Sequence, residues 1–263
     1  MTLTDSPVPG APPVITEVVD GVLVVTINRP EARNAINTIT AEAIGAAMDR
    51  LDEEPRLVAG VITGAGGTFC AGMDLKAFLS GEKPSLPGRG FAGIVERPPD
   101  KPIIAAVEGY ALAGGFEIVL ACDMIVAAED ATFGLPEVRR GLVAAGGGLM
   151  RLPERVPYHL AMEWSLTGGL IPAARAHEIA LVNRLTPRGG ALSAALELGR
   201  AIAANGPLAV RATKRVIVEA PGWSRAEMFD KQREITLPVR ESEDAREGAT
   251  AFKEKRSPRW QGR

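Results

Sequence analysis

Residues 103–128 read IIAAVEGYALAGGFEIVLACDMIVAA, and this stretch decides the fold class. Ile103–Val107 is a short apolar run of the kind found in buried strands, and Met124–Ala127 is a second one. Between them the glycine pair Gly114-Gly115 opens a helix that continues to about Ala121. A strand, a glycine-rich turn, a helix and another strand in such close succession predict a layered α/β core.

The chain on the N-terminal side of this stretch continues the same pattern. Asp20-Gly21 is the residue pair preferred in a type I′ turn, and β-branched runs flank it. Thr40 precedes apolar residues at helical spacing and is the expected N-cap. These patterns predict a β-hairpin over Val14–Val19 and Val22–Ile27, a helix over Thr40–Glu53 and a buried strand over Leu57–Thr63.

Two regions depart from this alternation. The stretch 80–100 contains four prolines and four glycines, which predicts a loop or mobile lid rather than a packed element. Beyond Gly148 the pattern is helical nearly to the end, with Leu181–Leu185 as a strand-like exception. The predicted organisation is a disordered lead-in over 1–13, an α/β core over 14–187 that carries the functional site, and a helical region over 188–263.

Composition excludes several classes of protein. The 263 residues are 46% hydrophobic and 24% charged, which is ordinary for a globular chain. A net charge of −2 offers no excess of cations for nucleic acid. The longest uncharged run, Leu57–Met73, contains five glycines, and the N-terminus lacks the features of a signal peptide, so we expect a cytoplasmic protein without a membrane span. Cys70 and Cys122 stand in apolar contexts and are expected in the core.

Familiar catalytic motifs are missing. The two histidines, His159 and His177, are too few for a multi-histidine metal site and lie in helical segments that do not suggest a catalytic triad. There is no G-x-S-x-G nucleophile elbow and no metal-ligand spacing. We therefore expect neither a metal nor a nucleophilic serine.

Two glycine-rich turns remain, TFCAGMD at 68–74 and ALAGGFE at 111–117. Each follows a buried strand and opens a helix, where backbone N–H groups are free of intrahelical partners. If the turns converge, these groups can stabilise an oxyanion. The alternative is that the glycines only allow close packing of helix and strand.

Two glutamates accompany the turns. Glu117 lies in an apolar helical segment three residues after Gly114, so the carboxylate shares a helix face with that glycine. Glu137 follows the next strand and precedes a glycine-rich run. Burial would raise the pKa of either carboxyl toward neutrality, where it can give and take protons. The alternative for Glu137 is a salt bridge to one of three arginines, namely Arg139, Arg140 or Arg151.

At these residues the sequence resembles the enoyl-CoA hydratase (crotonase) superfamily, with its hydratase and carnitinyl-CoA dehydratase-like branches. The resemblance runs through nearly the whole chain after the proline-rich start. Five blocks in the order of the family carry it: NRPEARNA at 28–35, CAGMDL at 70–75, EGYALAGGFEIVLACDMIVAAEDATFGLPEV at 108–138, AGGGLMRLP at 145–153 and SEDAREGATAFKEKRSPRW at 242–260.

The resemblance implies a fold and a mechanism. The fold is a spiral of β-β-α units followed by a helical trimerisation region, in a homotrimer or a hexamer built from two trimers. The oxyanion hole falls on the backbone N–H groups of Met73 and Gly114. Glu117 positions and deprotonates water, and Glu137 supplies the proton. The reaction is the addition of water to a trans-2-enoyl-CoA, by default in fatty acid β-oxidation, and no separate cofactor is needed because coenzyme A is part of the substrate.

The resemblance also places coenzyme A contacts. They fall on Arg33, Ala71, Asp74, Leu75, Lys76 and Lys255. The backbone near Ala71 and Leu75 would hold the adenine, Arg33 or Lys76 would meet phosphates, and Lys255 would reach the coenzyme A of a neighbouring subunit.

The chain departs from the family pattern at two places. Ala113 stands where a glycine is common before the oxyanion glycine, and Val143-Ala144-Ala145 lacks a proline found in many hydratases, which alters the expected acyl pocket. Three other functions stay open: dehydration of a carnitinyl-type thioester, double-bond isomerisation, and a non-catalytic role as a coenzyme A-binding scaffold or an RNA-binding protein. Retention of both glutamates favours water chemistry over isomerisation.

Overall fold

A computed structural model describes residues 11–263. The predicted lead-in over 1–13 and the absence of a signal peptide concern mainly residues 1–10, which lie outside the described residues. In chain order the strands are β1 Val14–Val19, β2 Val22–Ile27, β3 Ala59–Gly64, β4 Ser85–Leu86, β5 Gly90–Phe91, β6 Ile103–Val107, β7 Tyr110–Leu112, β8 Met124–Ala128, β9 Thr132–Gly134, β10 Ile171–Pro172 and β11 Arg184–Thr186.

Helices separate and follow these strands. The α-helices are α1 Thr38–Glu53, α2 Leu75–Leu79, α3 Gly114–Ala121, α4 Gly148–Arg155, α5 Tyr158–Thr167, α6 Ala173–Glu178, α7 Ala191–Ala203, α8 Pro207–Glu219, α9 Met228–Arg240 and α10 Glu243–Glu254, and the 3-10 helices are Pro30–Ala32, Pro136–Arg140 and Ala220–Gly222. The chain is therefore a mixed α/β structure up to β11 and helical beyond it, as the sequence predicts.

The main sheet has the order β1-β2-β3-β6-β8-β11. β1 pairs with β2 antiparallel, and every later pairing in this sheet is parallel. Successive side chains of the central strands alternate between two apolar layers. One layer packs on α7, and the other forms the large core that also contains α1 and α3. Burial on both faces explains why these strands read as continuous apolar runs.

A second, small sheet places the functional site. Its order is β10-β9-β7, and β7 pairs parallel with β9 so that Leu112 lies opposite Gly134. The chain passes from β7 into α3 and from β9 into the 3-10 helix Pro136–Arg140. Because the carboxyl ends of paired parallel strands meet at one edge, the start of α3 and the 3-10 helix lie together.

The predicted N-terminal hairpin is confirmed, whereas α1 begins at Thr38 rather than Thr40 and β3 spans Ala59–Gly64 rather than Leu57–Thr63. The hairpin pairs Val14 with Ile27, and Asp20 and Gly21 both have positive φ, as a type I′ turn requires. Thr40 is not the N-cap of α1. Asn37 caps the helix, since its side-chain oxygen accepts a bond from the Thr40 backbone N–H (3.1 Å) and another from the Thr40 hydroxyl (2.6 Å). Asparagine is at least as good a cap as threonine.

The prediction of an unpacked loop over 80–100 is wrong. The segment forms the β4–β5 hairpin, and Ala92, Ile94 and Val95 are buried in the main core. Arg89 is only 7% exposed; it pairs with Asp49 of α1 and donates a 3.1 Å bond to the carbonyl of Arg97. Apolar anchors and one buried arginine thus hold a segment whose prolines and glycines suggested mobility.

Among the C-terminal helices α7 packs on the main sheet, whereas α8 packs sparsely on the rest of the chain. The predicted strand at Leu181–Leu185 is β11, shifted to Arg184–Thr186. α8 has no buried residue, and a groove of about 950 Å³ lies between α8 and the core. Lys214 of α8 donates to the carboxylate of Asp123 (2.6 Å) and to the carbonyl of Pro99 (2.7 Å). Polar contacts therefore attach α8 to the rest of the chain more than an apolar core does.

Two further findings concern the chain as described. Cys70 and Cys122 are free thiols buried in the main core, as predicted, and burial raises the pKa of each to about 12. Within residues 11–263 no helix combines the length and apolar character that a membrane crossing requires.

Candidate active site

The two glycine-rich turns lie side by side. Cys70 forms a parallel bridge with Ala111, in which the Cys70 amide donates to the carbonyl of Tyr110 (2.9 Å) and the Leu112 amide donates to the carbonyl of Cys70 (3.0 Å). A Cβ atom added to Gly72 would lie 3.2 Å from the Gly114 nitrogen. The structure thus brings together the turns that the sequence treats as separate candidates.

The two turns present backbone amides that lack an acceptor among residues 11–263. The amide of Ala71 donates to the carbonyl of Arg33 (3.0 Å), and that of Asp74 donates to the carbonyl of Ile36 (2.9 Å). Between them, the Met73 amide makes no hydrogen bond within residues 11–263, and neither does that of Gly114 at the first position of α3. Free amides at a helix start and an adjacent turn can bind an anionic oxygen.

Close packing explains the glycine pair. A Cβ atom on Gly115 would overlap the carbonyl oxygen of Cys70, and one on Gly114 would overlap the ring of Phe91 in β5. The glycines therefore do allow close packing, as the alternative interpretation holds. The same turns also present free amides, so the two interpretations are compatible. Phe91, which the sequence does not single out, packs against Gly114.

Ala113 has a backbone conformation that favours glycine. Its φ and ψ are +51° and −128°, which is costly for a residue with a Cβ atom. Its amide donates to the carbonyl of Gly134 (2.9 Å), and its carbonyl accepts from the amides of Phe116 (2.9 Å) and Glu117 (3.1 Å). These bonds hold the strained residue and fix the direction of the next amide, that of Gly114.

Glu117 is buried and held by two amides. The residue is 4% exposed, and its Oε1 accepts bonds from the backbone N–H groups of Gly146 (2.7 Å) and Gly148 (3.0 Å). This role of the loop 146–148 is not among the predictions from sequence. The three consecutive glycines are the sequence feature that marks it. At Gly146 a glycine is needed because a Cβ atom there would lie 2.6 Å from the Oε2 of Glu117.

Glu137 carries an unsatisfied oxygen. Its Oε2 is fully buried and has no hydrogen-bond partner among the described residues. The salt-bridge alternative for Glu137 is wrong, because no ion pair formed by residues 11–263 includes this carboxylate. Arg139 instead donates to the carbonyl of Thr167 and Arg151 to that of Val95. A buried polar atom without a partner commonly marks a functional position.

Both carboxyls hold protons more strongly than usual. Burial raises the pKa of Glu117, although the amides of Gly148 and Gly146 and the charge of Arg151 partly oppose this. Burial also raises the pKa of Glu137; its own backbone amide opposes this, the charge of Glu117 adds to it, and Arg140 opposes it weakly. The charge of Glu117 acts on Glu137, which places the two carboxyls close together in one site.

The residues predicted to contact coenzyme A surround Met73, with one exception. Asp74 caps α2 by accepting from the amides of Lys76 (3.1 Å) and Ala77 (3.3 Å), and it pairs with Arg29 (2.9 Å). Burial raises the pKa of Asp74, but the Arg29 guanidinium and the α2 amides outweigh it and hold the value below its usual range. The other neighbours of the turn are the half-buried Ala71 and the exposed Leu75, Lys76 and Arg33.

Lys255 stands apart from this site. It is the exposed C-cap of α10, with φ of +54°, and no hydrogen bond or ion pair among residues 11–263 connects it with the two turns. Among residues 11–263, no group of three or more His, Cys, Asp or Glu side chains is placed to hold a metal ion.

Comparison with known proteins gives one consistent result. A profile described as enoyl-CoA hydratase/isomerase matches residues 17–263. The chain is 46% identical over 252 residues to an enoyl-CoA hydratase, EchA19, of Mycobacterium tuberculosis, covering 92% of this chain and 93% of the relative. It is 42% identical over 250 residues to a carnitinyl-CoA dehydratase of Proteus mirabilis, covering 92% and 95%.

A solved structure agrees. The crystal structure of an enoyl-CoA hydratase from Mycobacterium tuberculosis H37Rv superposes with a TM-score of 0.95 at 58% identity, over 96% of this chain and all of that one. This match and the profile confirm the predicted crotonase-like fold.

Proposed function

Because this chain belongs to the enoyl-CoA hydratase/isomerase family, we propose that it adds water across the double bond of a trans-2-enoyl-CoA thioester. One observation carries the proposal. The buried Glu117 and the half-buried Glu137, whose Oε2 atom is buried without a partner among residues 11–263, share a site that adjoins the free amides of Met73 and Gly114. Such a site can polarise a carbonyl and move protons at the neighbouring carbons.

The free amides form the proposed oxyanion hole. The thioester carbonyl oxygen would accept both N–H groups, and negative charge develops on this oxygen when water adds to the conjugated double bond. A preorganised donor of this kind contributes about 3 kcal/mol to transition-state stabilisation. Met73 can serve because only its backbone acts, and its side chain is free to shape the pocket.

The glutamates divide the proton transfers. Glu117, fixed through Oε1, directs Oε2 to a water molecule and takes its proton while the oxygen bonds to Cβ. Glu137, whose raised pKa favours the protonated form, gives its proton to Cα as the enolate collapses. After the reaction Glu117 is protonated and Glu137 is ionised. Proton exchange with solvent then restores the starting protonation state of each carboxyl.

Most of the proposed coenzyme A contacts are residues around the turn to which the family resemblance assigns this role. The backbone at Ala71 and Leu75 is assigned to the adenine, and the exposed Arg33 and Lys76 to phosphates. Asp74, whose carboxylate is engaged by Arg29 and the start of α2, is assigned to ordering that turn. No cofactor separate from the substrate is proposed, and the β-oxidation pathway and cytoplasmic location remain predictions.

A homotrimer or a dimer of trimers is the proposed assembly. Support comes from α8, which buries no residue within its own chain, and from large exposed apolar side chains on α8 to α10 such as Ile217, Phe229 and Phe252. Lys255 is assigned to the site of a neighbouring copy, since no hydrogen bond or ion pair in the part of the chain that the structure describes connects it with the turns.

A carnitinyl-type dehydration is the second candidate. It is favoured by the 42% identity to a carnitinyl-CoA dehydratase, and it uses the same two carboxyls in the reverse direction. Isomerisation needs only one carboxylate, so the unsatisfied Glu137 argues against it.

The loss of enoyl-thioester absorbance tests these functions. Crotonyl-, medium-chain and bulky enoyl-CoA substrates would be compared with carnitinyl-CoA, whose dehydration raises the same absorbance. Glu117→Gln and Glu137→Gln are each expected to lower kcat by at least about 100-fold, and Glu163→Gln, an exposed glutamate on α5, serves as the control. Turnover of carnitinyl-CoA alone would select the dehydratase, and absence of turnover with intact coenzyme A binding would select the scaffold.

A further inference from the structure

Arg151 of α4 lies behind the loop that holds Glu117. The loop 146–148 presents two amides to the Glu117 carboxylate, and the guanidinium of Arg151 packs against Gly147 in the same loop. The loop is therefore enclosed between a carboxylate and a cation. None of the roles proposed above uses this arginine.

The guanidinium connects two parts of the site. One of its nitrogens, Nη2, donates a 2.5 Å bond to the carbonyl of Val95, and the other, Nη1, makes a 3.4 Å contact with the carbonyl of Gly146. Val95 belongs to the segment that also places Phe91 against Gly114. Arg151 thus links the loop 146–148, which holds Glu117, with the segment that packs against Gly114.

The charge of Arg151 acts on Glu117. Arg151 is half-buried, and its positive charge favours the ionised form of that carboxyl. Glu137 is the neighbouring acidic group of the site, and the charge of Glu117 raises the pKa of its carboxyl. Glu154, Cys122 and Arg155 lie near the guanidinium itself. Neither Glu154 nor Glu117 forms a direct ion pair with Arg151 in the described chain.

We infer that Arg151 is a positioning residue for Glu117: its guanidinium braces the loop 146–148 that holds the carboxylate and places a positive charge behind it, acting through that loop rather than by contact with substrate. The inference rests on the proposed hydratase function for its catalytic consequence. Its electrostatic part concerns the unliganded protein and can be measured without turnover.

The test compares Arg151→Met with Arg151→Lys. The Glu117 carboxyl would be titrated by ¹³C NMR in unliganded protein labelled at glutamate Cδ, with Glu117→Gln identifying its signal, and kcat/KM would be measured against pH. In Arg151→Met the Glu117 titration and the acid limb of the rate profile should both move to higher pH, so activity falls about tenfold more at pH 6 than at pH 8. Arg151→Lys keeps the charge and loses the planar donor, so its acid limb should stay in place while kcat falls.

Arg155→Met is the matched control. Arg155 lies one turn further along α4 and donates to the Leu120 carbonyl, so its loss costs stability without a direct effect on Glu117. An Arg151→Met titration that superposes on the wild type, with a loss of stability like that of Arg155→Met, would contradict the inference. If Arg151→Met does not fold, an unchanged kcat in Arg151→Lys contradicts it. Failure of the wild type to hydrate any enoyl-CoA refutes the hydratase proposal instead, and the Glu117 titration still decides the role of Arg151.

Discussion

The backbone of Ala113 is the clearest strained feature of the site. At φ +51° and ψ −128° a glycine pays no steric cost, whereas a non-glycine residue pays about 1–3 kcal/mol. Glycine also loses more entropy on folding, which offsets part of that gain. We expect Ala113→Gly to raise the free energy of unfolding by about 1 kcal/mol in urea denaturation.

An ordinary helical alanine provides the comparison for Ala113. Ala201→Gly, at an exposed position of α7, should lower the free energy of unfolding by about 1 kcal/mol. If Ala113→Gly destabilises the protein as Ala201→Gly does, the strain at Ala113 is not significant.

Glu137 makes stability depend on pH in a definite direction. Its folded-state pKa lies above the ordinary value of 4.5, so in the unfolded chain the carboxyl loses its proton first as pH rises. The folded state is therefore favoured by this group below pH 4.5, and that contribution is lost as pH rises through the folded-state pKa. We expect Glu137→Gln to unfold at a higher Tm than the wild type at pH 8, with the difference vanishing near pH 4. If the Tm of the wild type at pH 8 equals or exceeds that of Glu137→Gln, burial of the Glu137 charge does not destabilise the folded state.

At the scale of elements, the loop 146–148 is the support on which Glu117 depends. Gly146→Ala would place its Cβ 2.6 Å from the Oε2 of Glu117, so the carboxylate must move. A displacement of about 1 Å costs on the order of 100-fold in rate, and we expect that loss in kcat with little change in KM. Gly222→Ala, where a Cβ atom meets nothing within 4 Å, is the control. Equal activity of the two variants would show that the loop does not fix the carboxylate.

The elements that sequence predicts well are those defined by local pattern. The Asp20-Gly21 turn and the apolar strand Ile103–Val107 follow from neighbouring residues alone, and both are observed. The structure of segment 80–100 cannot be predicted from local pattern because its order depends on contacts distant in sequence, such as that of Arg89 with Asp49 of α1. The same holds for the loop 146–148 that binds the Glu117 carboxylate, since its two amides lie about 30 residues further along the chain.

At the scale of the whole molecule, the position of Lys255 makes the assembly testable. Lys255 is exposed, and no hydrogen bond or ion pair among residues 11–263 connects it with the turns, so we assign its role in coenzyme A binding to the site of a second copy. We expect a solution mass of three or six times 27.7 kDa by sedimentation equilibrium. We also expect Lys255→Ala to raise KM about tenfold at unchanged kcat, while Lys253→Ala, also exposed on α10, leaves KM unaltered.

Mixed oligomers decide whether the lysine acts across the interface. Glu137→Gln subunits lack the proton donor, and Lys255→Ala subunits lack the cation, so neither homo-oligomer has a complete site. When the two are co-expressed, a site that takes Glu137 from one chain and Lys255 from its neighbour is complete, and a fraction of the activity should return with the KM of the wild type. If Lys255 served its own chain, every active site in the mixture would lack the cation, and only the raised KM would be observed.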